Sequence, residues 1–246
     1  MLLFLDHPNY QWNATAEDIL AVENLRFMEI HTAYPSCNNA GDERHASVER
    51  IWDIVLTARM AAGQGLLYGL AGDDCHGYVP DDPLYRNSAL PGRAWIMVRA
   101  AGLTPEHILA AMEQGDFYAS TGVTVENIAV DPQGMALTIR PEPGVRYRTQ
   151  FIGTREGYDR SSTPVTDAEG KPIRATRKYS PQIGRILAEV EGLQPKYAFA
   201  SDELYVRAVV ESDALRPDPH RPGDRQKAWI QPVRVSRRHG SSQPAE

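Results

Sequence analysis

The first half of the chain alternates short apolar runs with stretches of helical spacing, the pattern left by parallel strands joined through helical crossovers. Leu2 to Leu5 reads as a strand and is followed by the loop His7-Pro8-Asn9-Tyr10. Thr15, with Asp18 three residues on, is a capping-box start for a helix to about Leu25, and Phe27 to Ile30 reads as a second strand. Val48, Ile51, Trp52, Val55 and Leu56 recur at the spacing of one helical face, which predicts an amphipathic helix from His45 to about Ala62, ended by Gly63 and Gly65. Leu66 to Ala71 is a buried-strand candidate that runs into Gly72-Asp73-Asp74-Cys75-His76-Gly77. Ala94 to Ala101 is a further apolar run. Thr104 as N-cap and Pro105 at the first helical position then open a helix ending near Gly115, and Phe117 to Ser120 completes this half. Polar residues cluster after the strands, as in a barrel or open α/β sheet whose loops at the carboxyl ends of the strands carry the chemistry.

After Gly122 the pattern changes to short strand candidates punctuated by Pro and Gly: Val125 to Val130, Ala136 to Ile139, Tyr147 to Ile152, Leu204 to Val210 and Ala228 to Val235. They predict a small β-sandwich. Between Thr154 and Gln194 the spacing predicts a helix over Gln182 to Val190, with loop around it.

The 246 residues suffice for one large domain or two modest ones. A formal charge of −6 is the wrong sign for generic binding to nucleic acid or an anionic membrane. The late basic residues Arg216, Arg221, Arg225, Lys227, Arg234, Arg237 and Arg238 are interspersed with prolines and read as solvated loop and tail. Two cysteines, Cys37 and Cys75, make neither a disulfide framework nor a CxxC zinc pair. No signal-peptide core is evident, and no run approaches the roughly 20 apolar residues of a membrane span. A cytoplasmic protein is expected, with the proviso that a chain missing its true beginning would have lost any export signal.

Asp74 and His76, two apart after a strand, point to the same side if the backbone stays extended, and a carboxylate with an imidazole suits zinc, manganese or iron. Alone, the triplet equally fits an Asp that caps the next segment and orients His76. His7 follows the first strand as Asp74 follows the third, so a parallel sheet brings them near each other; a histidine satisfied by backbone groups is the competing reading. Glu29, a carboxylate among apolar neighbours in a strand, must reach solvent or find a partner. Asp73 reads as a strand-end cap, Glu49 as solvent-facing, and His31 and His45 as surface or helix-start residues. Asn9 or a nearby arginine is a candidate for substrate contact. There is no GxSxG, GxxxxGK[ST] or GxGxxG, so neither serine nucleophiles nor phosphate-cradling loops are indicated.

Five segments in this order, His7-Pro8-Asn9-Tyr10 with Trp12, Met28-Glu29-Ile30, Glu49 with Trp52-Asp53, Asp73-Asp74-Cys75-His76 and Phe117-Tyr118-Ala119-Ser120-Thr121-Gly122, resemble PHP (polymerase and histidinol phosphatase) domain metal-dependent hydrolases. The resemblance implies a distorted (β/α)7 barrel that binds two or three metal ions and hydrolyses phosphoesters. His7, Asp74 and His76 would be ligands of zinc, manganese or iron, and the substrate a small-molecule phosphoester. Residues 1–122 would be the carboxyl-terminal portion of the barrel, 123–238 a β-rich sandwich-like domain and 239–246 a disordered tail. Family members carry an HxH motif and further ligands before the HPN loop, and this sequence has none, so the chain is expected to lack its amino-terminal part. An amidohydrolase-like hydrolase, for which no carboxylated-lysine candidate is evident, and an inert binding or structural fragment are the alternatives.

Overall fold

The computed structural model describes residues 2–78, 90–216 and 223–235; Arg221, Arg237, Arg238 and the expected tail at 239–246 lie outside them. β1 (Phe4–Leu5), β2 (Phe27–Thr32) and β3 (Tyr68–Gly72) form a parallel sheet in the order β1-β2-β3. Its crossovers carry α1 (Ala16–Leu20) and α2 (Val48–Ala61). The capping box is present: Thr15 Oγ1 accepts from the Asp18 N–H at 3.2 Å, and Asp18 Oδ2 accepts from the Thr15 N–H at 2.9 Å. α1 stops well short of Leu25 because the carbonyls of Val22 and Leu25 turn outward to the buried guanidinium of Arg59. α2 starts where Ser47 accepts from the Arg50 N–H, and it buries Val48, Ile51, Trp52, Val55 and Leu56 in one core with Met28 and Ile30 of β2. Each such side chain contributes about 1.5–3 kcal/mol.

The parallel pattern then ends. β4 (Trp95–Val98) and β5 (Phe117–Ser120) pair antiparallel, with α3 (Pro105–Gln114) between them. Arg99 N–H donates to the Asp116 carbonyl at 2.9 Å, so β4 ends where β5 begins and α3 is an excursion from a hairpin. Thr104 caps it, and Gly115 at φ 79° turns the chain straight back.

The remaining strands are β6 (Val125–Asp131), β7 (Gly134–Ile139), β8 (Tyr147–Arg155), β9 (Ser162–Thr163), β10 (Lys178–Tyr179), β11 (Arg185–Glu191), β12 (Lys196–Ala198), β13 (Glu203–Leu215) and β14 (Arg225–Arg234). A six-stranded sheet runs β11-β8-β13-β14-β5-β4, drawing strands from both sides of Gly122, and a smaller sheet runs β12-β7-β6. The period of two sorts the larger sheet's side chains. Val206, Ala208, Val210, Ala228 and Ile230 pack with Met135, Leu137 and Ile139 of the smaller sheet. Tyr205, Val209 and Trp229 face the α2 core. The six-stranded sheet is thus the middle of three layers.

Two expectations are corrected. The fold is a mixed α/β arrangement dominated by sheet, and among the described residues no sheet closes into a barrel. At the β3 edge, where a barrel would add its next strand, the Gln231 side-chain amide of β14 donates to the Gly69 carbonyl and accepts from the Gly69 N–H, both at 2.8 Å. The helix expected over Gln182 to Val190 is strand β11. A bulge between Ile186 and Ala188 breaks the alternation, so Leu187, Ala188 and Val190 all reach the core and leave a spacing that imitates a helix. Gly184, at φ 60°, leads into this strand because any Cβ there would meet the Asp53 side chain.

Candidate functional site

The loops leaving β1 and β3 flank the end of β2, so the polar segments around His7 and Asp74 meet at one edge of the parallel sheet. Both residues have left-handed backbones, φ 25° at His7 and 49° at Asp74, and Gln11 and Trp12 follow at 50° and 58°. Left-handed non-glycine residues cost about 1–3 kcal/mol each and persist only where their surroundings hold them. Here the holding groups are visible. Tyr10 N–H donates to the His7 carbonyl at 2.9 Å. Buried Asn9 donates through Nδ2 to the carbonyls of Asn38 and Ala46 at 3.0 and 2.9 Å, fastening the loop to the segment after β2. Asn9 is therefore committed to the fold instead of facing a substrate.

Glu29 stands between the two loops, 9% exposed. Its Oε2 accepts from the His7 N–H at 2.8 Å and from Thr32 Oγ1 at 2.7 Å. Its Oε1 lies against Gly72, where a Cβ would come within 2.7 Å of it. Burial raises the Glu29 pKa above the ordinary carboxylate value, with the bonds from His7 and Thr32 opposing. Nearby, burial and then the carboxylates of Asp74, Glu29 and Asp6 push the Cys37 thiol up to about 12.

The expected ligands occupy this edge without meeting at one point. His7 Nε2 is 3.4 Å from Asp6 Oδ2. His76 Nδ1 is 2.7 Å from the Asp74 carbonyl and 3.7 Å from Asp74 Oδ1. The two imidazoles terminate a row of rings, with centroid separations of 5.4 Å for His7 and Tyr10, 6.3 Å for Tyr10 and Tyr34, and 5.5 Å for Tyr34 and His76. Among the described residues no group of three or more His, Cys, Asp or Glu side chains is placed to hold a metal ion. Asp74 and His76 supply at most a two-donor pair, so the described side chains do not fit a complete two- or three-metal centre.

The neighbouring polar residues have structural partners. Asp73 accepts from the backbone N–H groups of Gly92, Arg93 and Ala94 at 2.8, 2.6 and 2.7 Å and caps the approach to β4, the role its position suggested. Glu49, still partly solvent-exposed, is 3.4 Å from Arg207 Nη1 and so pairs with a buried arginine. His31 is 3.0 Å from Arg216 Nη1 and stacks on Trp229, while His45 pairs with Asp42 and stacks on Trp12. Tyr34 and Cys37 join the site with no sequence signal beyond lying after β2. An isolated antiparallel bridge between Tyr10 and Cys37 brings that segment to the His7 loop.

No protein-family model and no curated protein matches the chain. Among solved structures, a two-domain protein containing a predicted PHP-like metal-dependent phosphoesterase, from Bacteroides vulgatus, is similar over 94% of this chain at 11% identity and a TM-score of 0.31. The chain spans 62% of that protein's length, and a likeness this distant carries no argument about fold or chemistry.

Proposed function

We propose that this chain carries one wall of a metal-dependent hydrolase site, with small-molecule phosphoesters as substrates, at the carboxyl edge of β1, β2 and β3. The observation that supports this reading best is the pair of left-handed non-glycine residues, His7 and Asp74, near the buried Glu29 carboxylate, which accepts from the His7 N–H and lies against Gly72, two residues before Asp74. Maintained strain beside converging carboxylates suits a binding site more than a structural turn. In this reading His7, Asp74 and His76 would be ligands of zinc, manganese or iron, Asp74 and His76 as one two-donor pair and His7 apart from them across the Tyr10 and Tyr34 rings. Such ions, when bound, activate water and stabilise charge on phosphoryl oxygens. The chain's own residues hold the donors apart and rim the site with Tyr10 and Tyr34.

The test is elemental analysis of protein purified without chelator, together with hydrolysis of p-nitrophenyl phosphate with and without chelator. A bound transition metal and chelator-sensitive hydrolysis, both reduced by His76→Ala, are expected. Metal-free protein that gains neither metal nor activity on incubation with zinc, manganese or iron would leave the inert binding fragment as the better reading.

A further inference from the structure

Glu29 touches both the start of the His7 loop and the end of β3. Its two carboxylate oxygens are used differently. Oε2 takes the His7 N–H and the Thr32 hydroxyl, whereas Oε1 packs against Gly72, two residues before Asp74. The His7 amide belongs to a left-handed residue, φ 25°, and lies where the chain leaves β1. A fixed side-chain acceptor on that amide sets the peptide plane before His7 and so the direction of its side chain. On the other side, β2 carries a bulge between Glu29 and His31, pairing Glu29 with Leu70 and His31 with Ala71. The bulge re-aims Glu29 at the strand ends, and the absence of a Cβ on Gly72 lets the carboxylate close against β3.

We infer that Glu29 is a positioning residue of this site: through one oxygen it sets the His7 turn, and through the other it sets the end of β3 from which Asp74 departs. The inference rests on reading these strand ends as a hydrolase site, and it adds a residue that acts on the expected ligands through the backbone. Because both hydrogen bonds go to one oxygen, a glutamine carbonyl can accept both. Geometry, and not charge, is the quantity Glu29 supplies.

The experiment compares Glu29→Ala, Glu29→Gln and Gly72→Ala by hydrogen exchange at the His7 amide and by kcat and KM for p-nitrophenyl phosphate. Gly72→Ala keeps every hydrogen-bonding group but drives a methyl into Oε1, so it carries the test if Glu29→Ala does not fold. Loss of the hydrogen bond to this side-chain oxygen should speed His7 exchange about tenfold or more in Glu29→Ala and Gly72→Ala, with exchange near wild type in Glu29→Gln. In the same two variants kcat should fall with KM little changed, and Glu29→Gln should restore it. Unchanged His7 exchange in both variants overturns the inference, as does Glu29→Gln behaving like Glu29→Ala, or altered exchange with unchanged kcat in an active protein. A wild type inactive toward the phosphoester defeats the functional reading instead, and the His7 amide still decides whether Glu29 holds the turn.

Discussion

The Asp53 carboxylate and the Arg207 guanidinium form a two-pronged ion pair inside the core, with Nε to Oδ1 at 2.8 Å and Nη2 to Oδ2 at 2.7 Å. Arg207 on β13 is 1% exposed, lies 4.8 Å over the Trp52 ring and reaches Glu49 as well, while the Tyr205 hydroxyl donates to Asp53 Oδ1 at 2.8 Å. Burial by itself would lower the Arg207 pKa, but attraction to Asp53 outweighs it and holds the guanidinium charged. This cluster joins α2 to the six-stranded sheet.

Removing one partner leaves the other as an uncompensated buried charge. Arg207→Met is expected to cost about 3–5 kcal/mol, and Asp53→Leu combined with it to recover much of that loss. Urea denaturation of the two singles and the double variant checks this; additive losses would contradict it.

Gln231 supplies what a neighbouring strand would have given Gly69. In Gln231→Leu the Gly69 N–H and carbonyl lose their partners in a buried setting, at roughly 1–3 kcal/mol for each group. Chemical denaturation measures the loss, and hydrogen exchange of the Gly69 amide should accelerate more than that of Met28 in the centre of the parallel sheet.

Adjacent aspartates should separate into different phenotypes. Asp73→Ala removes the acceptor of three backbone N–H groups and should cost about 2 kcal/mol or more in stability. Asp74→Ala should cost less, since among the described residues Asp74 accepts no such backbone set, and should instead weaken manganese binding in calorimetric titration. Equal stability losses, with manganese binding untouched by Asp74→Ala, would contradict the assignment.

Glu203 gives a pH dependence whose sign is fixed. Burial raises its pKa above 4.5, opposed by bonds from Tyr197 and the Ala200 N–H and by the Arg155 charge. A carboxyl raised in the folded state binds its proton more tightly there, so its contribution to stability is full below the unfolded pKa and is lost as pH rises through the folded value. The Tm of Glu203→Gln relative to wild type should therefore be more favourable at pH 7 than at pH 4. Thermal melts at the two values decide it.

The Thr15 and Thr104 caps, the Pro105 start, the Gly115 stop and the strand at Phe117–Ser120 are local statements, made by residues within a turn of one another, and the sequence alone carried them. The apolar face of α2 and the strands that follow Gly122 were legible for the same reason: period and punctuation record which side of an element is buried. The candidate edge was legible in part, since His7 and Asp74 each follow a strand and Glu29 sits conspicuously among apolar neighbours. Tertiary structure decided the rest. Which edge of β3 receives the Gln231 amide, that β4 and β5 form a hairpin, and that a bulge turns Gln182–Val190 into strand all depend on partners up to 162 residues apart. The separation of His7 from His76 by two tyrosine rings has the same origin. Spacing along a chain fixes the direction of a side chain relative to its own element, whereas convergence of donors depends on how whole elements are packed, and that is set by the buried contacts and satisfied backbone groups of the complete fold.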